Sequence, residues 1–126
     1  MAIVVSNSGE VEMLTLLLAG NLTYHLYSND YTPVEGSVVG NFTEATLAGY
    51  SAETITGGTW TIGTTDNITS GSNDDIDFIL TGAGTVYGYY VTNGDGDLMW
   101  SERFTSEGTF TSEGGSITIT PLIILD

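Results

Sequence analysis

The hydrophobic positions change period along the chain, and each change marks an element. Between Asn7 and Gly20 they recur with helical spacing: Val11, Leu14 and Leu18 share one face, Met13 and Leu17 lie beside it, and Glu12 and Thr15 stay outside. Asn7 is placed to cap this helix, Glu10 complements its N-terminal dipole, and Gly20 is placed to end it in a left-handed conformation. The spacing predicts a helix over residues 7–19, too short to be stable alone and apolar around most of its circumference. It must be covered, by its own domain or by a neighbouring subunit.

From Leu22 the period becomes two. Leu22, Tyr24 and Leu26 alternate with Thr23, His25 and Tyr27 in a strand that ends at Ser28-Asn29-Asp30 and Thr32-Pro33. Residues 35–50 read mostly as loop, 53–56 and 59–63 as short strands about the Gly57-Gly58 turn, 64–75 as a polar loop, and 76–80 as a strand. Thr85 to Phe104 predicts a β-hairpin, with aromatic and β-branched runs on either side of Asn93-Gly94-Asp95-Gly96-Asp97. With Thr92 opposite Leu98, uninterrupted pairing sets Tyr90 against Trp100, Val91 against Met99 and Tyr87 against Arg103. Residues 109–111 add a short strand, and a last one over 117–125 is interrupted or bent at Pro121. Many short strands, turn clusters between them and one helix predict a single all-β domain over residues 1–126: a helix at 7–19, then a β-sandwich or jelly-roll-like body over 22–126.

Charge then narrows the partners. Sixteen acidic residues against one Arg and no Lys give a formal net charge of -15, so nucleic acid and anionic membrane surfaces are poor partners. There is no lysine for Schiff-base chemistry and no cysteine for a disulfide, a thiolate metal site or a thiol nucleophile. Self-repulsion keeps free subunits apart at low salt and favours basic surfaces or divalent cations as aids to assembly. No targeting signal is visible, and the apolar run Met13 to Ala19 is too short to span a bilayer.

Candidate chemistry is sparse. Asn93, Asp95 and Asp97 space three oxygen ligands as a calcium loop does, yet the residue at loop position twelve is Phe104 and at position six Leu98; the same residues are what a hairpin turn demands. Asp74, Asp75 and Asp77 read as a solvated loop cluster. His25 is the one imidazole, and no nucleophile-elbow motif accompanies it, so a structural strand position is the expectation. Neither catalytic residues nor a cofactor are assigned, and no enzymatic activity is expected. Arg103 is placed to stack on Tyr87 while pairing with Glu102 or Glu107, as a local clamp or as an anchor into a neighbouring subunit. With Val11, Leu14, Leu18 and Trp100, these two residues make up the candidate interface set.

Four segments occur together in order: Leu26 to Pro33 (LYSNDYTP), Asn41 to Ala45 (NFTEA) with Gly49-Tyr50, Val86 to Thr92 (VYGYYVT), and Leu98 to Phe104 (LMWSERF). With the Ser-Gly-Glu helix start and the Thr-Ile-Thr-Pro ending, the chain resembles a group of small tailed-bacteriophage virion proteins encoded near the major capsid protein. The resemblance implies a capsid decoration, or cement, protein. Such a protein is a β-rich subunit, often trimeric, that is made in the bacterial cytoplasm and sits on the outer surface of the head, binding the major capsid protein. A tail, neck or fibre component is the alternative within virions. A carbohydrate-binding adhesin, with Trp60, Trp100 and the tyrosines as its platform, is the alternative of another class.

Overall fold

A computed structural model describes residues 1–125 as an all-β domain of antiparallel sheets with one short N-terminal helix. Helix α1 spans Asn7–Leu17 and is followed by β1 (Leu22–Tyr27), β2 (Glu53–Ile55), β3 (Thr61–Thr65), β4 (Ile68–Ser72), β5 (Ile76–Leu80), β6 (Gly84–Thr92), β7 (Leu98–Phe110), β8 (Gly115–Ile119) and β9 (Leu122–Leu125). The strands form sheets in the orders β2-β1-β6-β7, β3-β4-β9 and β5-β8.

The helix begins one residue earlier than its sequence signal. Ser6, in an extended conformation, is the cap, and its Oγ accepts the Gly9 N–H at 3.2 Å; Asn7 is the first helical residue and its side chain instead donates to Asn67 Oδ1 at 3.0 Å. Gly20 does not take a left-handed conformation. The helix stops because its end is received by the turn before β3: the Leu18 carbonyl accepts the Gly58 N–H at 3.1 Å. A Cβ on Gly57 would lie 2.1 Å from the Ala19 carbonyl oxygen, so only glycine permits that approach.

Residues 64–75, expected as a polar loop, contain β4 and most of a hairpin. Asp66 and Asn67 both have positive φ, 52° and 64°, and make a tight turn between β3 and β4. The inward positions of β4 are Thr69 and Gly71, small residues that admit Leu14 and Leu18 of α1 to the strand backbone. That packing leaves no apolar alternation for a sequence pattern to show.

The central hairpin keeps Thr92 opposite Leu98, but its register shifts immediately afterwards. An irregularity between Val91 and Thr92 sets Val91 against Trp100, and a second between Val86 and Gly88 sets Val86 against Gly108. Tyr90 therefore faces Ser101, and Arg103 faces Gly88 in place of Tyr87. At Gly88 a Cβ would lie 2.2 Å from the Glu102 carbonyl oxygen and 2.7 Å from the Tyr27 ring, so the Tyr27 ring closes over a bare strand position. The expected strand at 109–111 is the end of this long β7. The bend at Pro121 is a change of sheet: β8 pairs with β5, and β9, after Pro121, pairs with β4.

One core joins the helix and all three sheets. Leu14, Leu18, Leu22, Tyr24, Leu26, Trp60, Phe78, Val86 and Val91 belong to it. Opposite, Tyr27, Phe42 and Tyr90 form a second cluster with the chain from Tyr31 to Phe42, and Tyr31, Val39, Tyr87 and Leu98 pack against it. The sheet containing the hairpin is thus covered on both faces, which is why its strands carry aromatic residues at consecutive positions.

Candidate functional site

The candidate residues do not converge on one site; the fold distributes them among three places. Leu14 and Leu18, expected as interface contacts, are each 1% exposed and lie against Gly71 in the core, so in this fold they cannot meet a partner. Val11 is half-buried beside them. Trp100 is half-buried on the main-core face of β7, its ring edge-on to Tyr24 with centroids 6.2 Å apart. Tyr87 and Arg103 do come together, the guanidinium carbon lying 5.3 Å from the Tyr87 ring centroid.

Arg103 acts as a local clamp. Its Nη2 pairs with Asp30 at 2.6 Å and its Nη1 donates to Thr32 Oγ1 at 3.3 Å, in place of the expected Glu102 or Glu107. The Asp30 hydrogen bond raises the guanidinium above its ordinary range. Through Arg103 the loop after β1 is tied to β7, and Tyr27 completes the tie by donating to the Tyr31 carbonyl at 3.0 Å.

His25 sits in a polar cluster on the same face. Its Nδ1 is 2.8 Å from Glu44 Oε2, its Nε2 is 2.9 Å from Thr92 Oγ1, and its ring stacks on Tyr90 with centroids 4.6 Å apart. The Tyr50 hydroxyl donates to the same Glu44 oxygen at 2.7 Å and accepts the Leu26 N–H at 3.1 Å. Burial pushes Glu44 up, but the hydrogen bonds from His25 and Tyr50 outweigh it and hold the carboxyl below its usual range. Burial raises Tyr50 well above its ordinary value, with the Glu44 contact adding to it, and raises Tyr90 to about 12. His25, Glu44, Tyr50 and Thr92 thus hold one another, and the cluster pins residues 43–50 onto β1 alongside the Tyr27–Glu44 bridge.

At the hairpin tip, Asn93 Oδ1 accepts the Asp95 N–H at 3.0 Å and the Asp97 N–H at 2.9 Å, while the Asn93 N–H donates to the Asp97 carbonyl at 3.0 Å. The oxygen that a cation would use is engaged in building the turn. In the second acidic cluster, Asp75 accepts the Thr120 hydroxyl at 2.7 Å and Asp77 accepts that of Thr118 at 2.6 Å.

Exposed apolar surface outside the candidate residues belongs to α1 and the sheet β3-β4-β9. On the face of that sheet away from the helix lie Thr61, Gly63, Thr65, Ile68, Ser70, Ser72, Leu122 and Ile124, none of them charged. Ile68, Leu122 and Ile124 are 43%, 52% and 53% exposed. Across the module, Met13, Leu16 and Leu17 form an exposed ridge on α1, and the segment before it exposes Ile3 and Val4. Ile3, Val4, Val5, Met13 and Leu125, with Glu10, line a surface depression of about 470 Å³. The signal available in the sequence was the alternation after Pro121, in which Leu122 and Ile124 fall opposite Ile123 and Leu125.

These features define a class: an acidic all-β domain, stapled by an N-terminal helix, that presents apolar surfaces on opposite sides of one small sheet, the outer one uncharged. Comparison with family models, with curated proteins and with solved structures finds no match for the chain.

Proposed function

We propose that the chain is a structural subunit of a bacteriophage virion: a capsid decoration protein, most simply a homo-oligomer such as a trimer, that binds the outer surface of the head and ties neighbouring copies of the major capsid protein together. The observation that carries this reading is a pair of exposed apolar surfaces, the outer sheet face free of charge, on a domain of net charge -15. A bridging subunit needs two places to bind, and a strongly acidic one gains most where such a place is free of its own carboxylates. The ridge on α1, flanked by Glu10 and Glu12, and the carboxylate-free outer face of β3-β4-β9 supply the two places within one module. The virion context comes from the resemblance of the four segments described above. The acidic surface favours the outside of the head over a lumen filled with DNA. The adhesin reading loses half of its platform, because Trp60 is only 8% exposed.

Imaging of heads produced without this protein, before and after adding it in purified form, tests the proposal. New density at symmetric positions on the outer lattice is the expected result. Heads that stay bare at saturating protein overturn it.

A further inference from the structure

The hairpin tip sets an unhindered backbone nitrogen beside a side-chain amide whose oxygen receives two N–H groups. Of the seven asparagines in the chain, Asn93 is the one followed by glycine. Gly94 is exposed, a Cβ there would meet nothing within 4 Å, and its N–H makes no hydrogen bond among the described residues. The nitrogen next to the Asn93 side chain is therefore both unhindered and uncommitted. On the other reactant, Oδ1 of Asn93 receives two backbone N–H groups, from Asp95 at 3.0 Å and from Asp97 at 2.9 Å. Two donors on one carbonyl oxygen are the arrangement that stabilises negative charge as that carbon is attacked.

We propose that Asn93 is a site of self-promoted deamidation, with the turn's own backbone acting as the oxyanion hole. The Gly94 nitrogen gives up its proton to water or hydroxide and forms a bond to Asn93 Cγ, and the negative charge gathers on Oδ1 between the two N–H groups. The side-chain nitrogen takes a proton from water, its bond to Cγ breaks, ammonia leaves as the Oδ1 carbonyl re-forms, and the five-membered ring between residues 93 and 94 becomes an imide. Water opens the imide at one carbonyl or the other, giving aspartate or isoaspartate, with no change of oxidation state. Aspartate keeps an acceptor for both N–H groups and adds one negative charge to the tip. Isoaspartate adds a methylene to the backbone and disrupts the bonds from Asn93 N–H to Asp97 and from Gly96 N–H to the Asn93 carbonyl. The neighbouring Asp95-Gly96 pair is poorly disposed to the same ring closure, because the Gly96 nitrogen is engaged at 3.1 Å and its φ is +83°.

The test is incubation of the full native chain at neutral to mildly alkaline pH, followed by peptide mass analysis and isoaspartate detection. Amide loss at Asn93, with the other six asparagines intact, is expected. Gly94→Ala fits the open space at that position and is expected to abolish the conversion while leaving the thermal unfolding of the protein unchanged. A parallel incubation of the urea-unfolded chain separates the geometry from the dipeptide. If the native protein keeps its Asn93 amide while the unfolded chain loses it, the turn protects the residue and the inference is wrong. Conversion that persists in Gly94→Ala at the wild-type rate likewise overturns it.

Discussion

At the level of single residues, the molecule uses its few special side chains as ties between loop and sheet. Glu44 shows this best: one carboxylate oxygen receives both His25 and Tyr50, and the residue bridges to Tyr27. Because its folded pKa is held below the ordinary value, the carboxylate contributes stability that is present above the unfolded pKa and lost as pH falls through the folded one. Glu44→Gln keeps an acceptor but removes the charge. It is expected to cost about 1 kcal/mol at neutral pH, the usual worth of charged hydrogen bonds discounted for the exposure of this side chain. The cost should shrink towards zero in acid, once the pH has fallen below the lowered folded pKa and the carboxyl is protonated in both states. Urea unfolding at the two pH values measures it, and a gap that does not change with pH contradicts the assignment.

At the level of elements, α1 and the sheet beneath it form a mutually dependent unit. Leu14 and Leu18 need the bare backbone of Gly71, and the buried Thr69 hydroxyl donates to Glu10 of the helix at 2.8 Å. Leu14→Ala should therefore cost about 2–5 kcal/mol in equilibrium unfolding. Leu16→Ala, on the exposed ridge, should stay within about 0.5 kcal/mol. Equal losses at the two positions contradict the orientation of the helix. Much of this architecture was legible beforehand. The helix, the strands at 22–27 and 76–80, the hairpin and the break at Pro121 follow from period and turn chemistry. Two features were not. Strand β4 hides because its inward residues are Thr69 and Gly71, whose task is to be small, and hydropathy does not register smallness. The hairpin's register was obscured by two irregularities that depend on how Tyr27 and the core seat against β6, which no local pattern records. The contact surface was legible only in part. The helix was recognised as sticky, but its buried and exposed sides depend on which face meets β4, and the uncharged outer face needs the pairing of β9 to exist at all.

At the level of the whole molecule, charge and apolar surface oppose each other. Three strands at about 4.8 Å spacing and five residues at about 3.3 Å rise give the outer face of β3-β4-β9 a footprint of about 240 Å². A lasting interface buries about 800 Å² per partner, so this face alone would hold two copies together only weakly. Repulsion between subunits of net charge -15 weakens the contact further at low salt. Sedimentation should accordingly show mass shifting upward as sodium chloride is raised. A fall in mass with salt would point to contacts built on opposite charges. In the proposed assembly, the two surfaces together, on subunits held side by side by the capsid lattice, would reach what neither achieves in dilute solution.

The most direct test of the central claim joins that surface to the assembly. Leu122→Glu with Ile124→Glu places two carboxylates on the outer face, at positions already half-exposed, so thermal unfolding should change little. Heads produced with the variant are then imaged beside heads produced with the wild-type chain. The account predicts regularly placed outer density on the wild-type heads and its loss on the variant heads. Equal decoration of both, by a variant that folds normally, would show that this face is not where the protein binds.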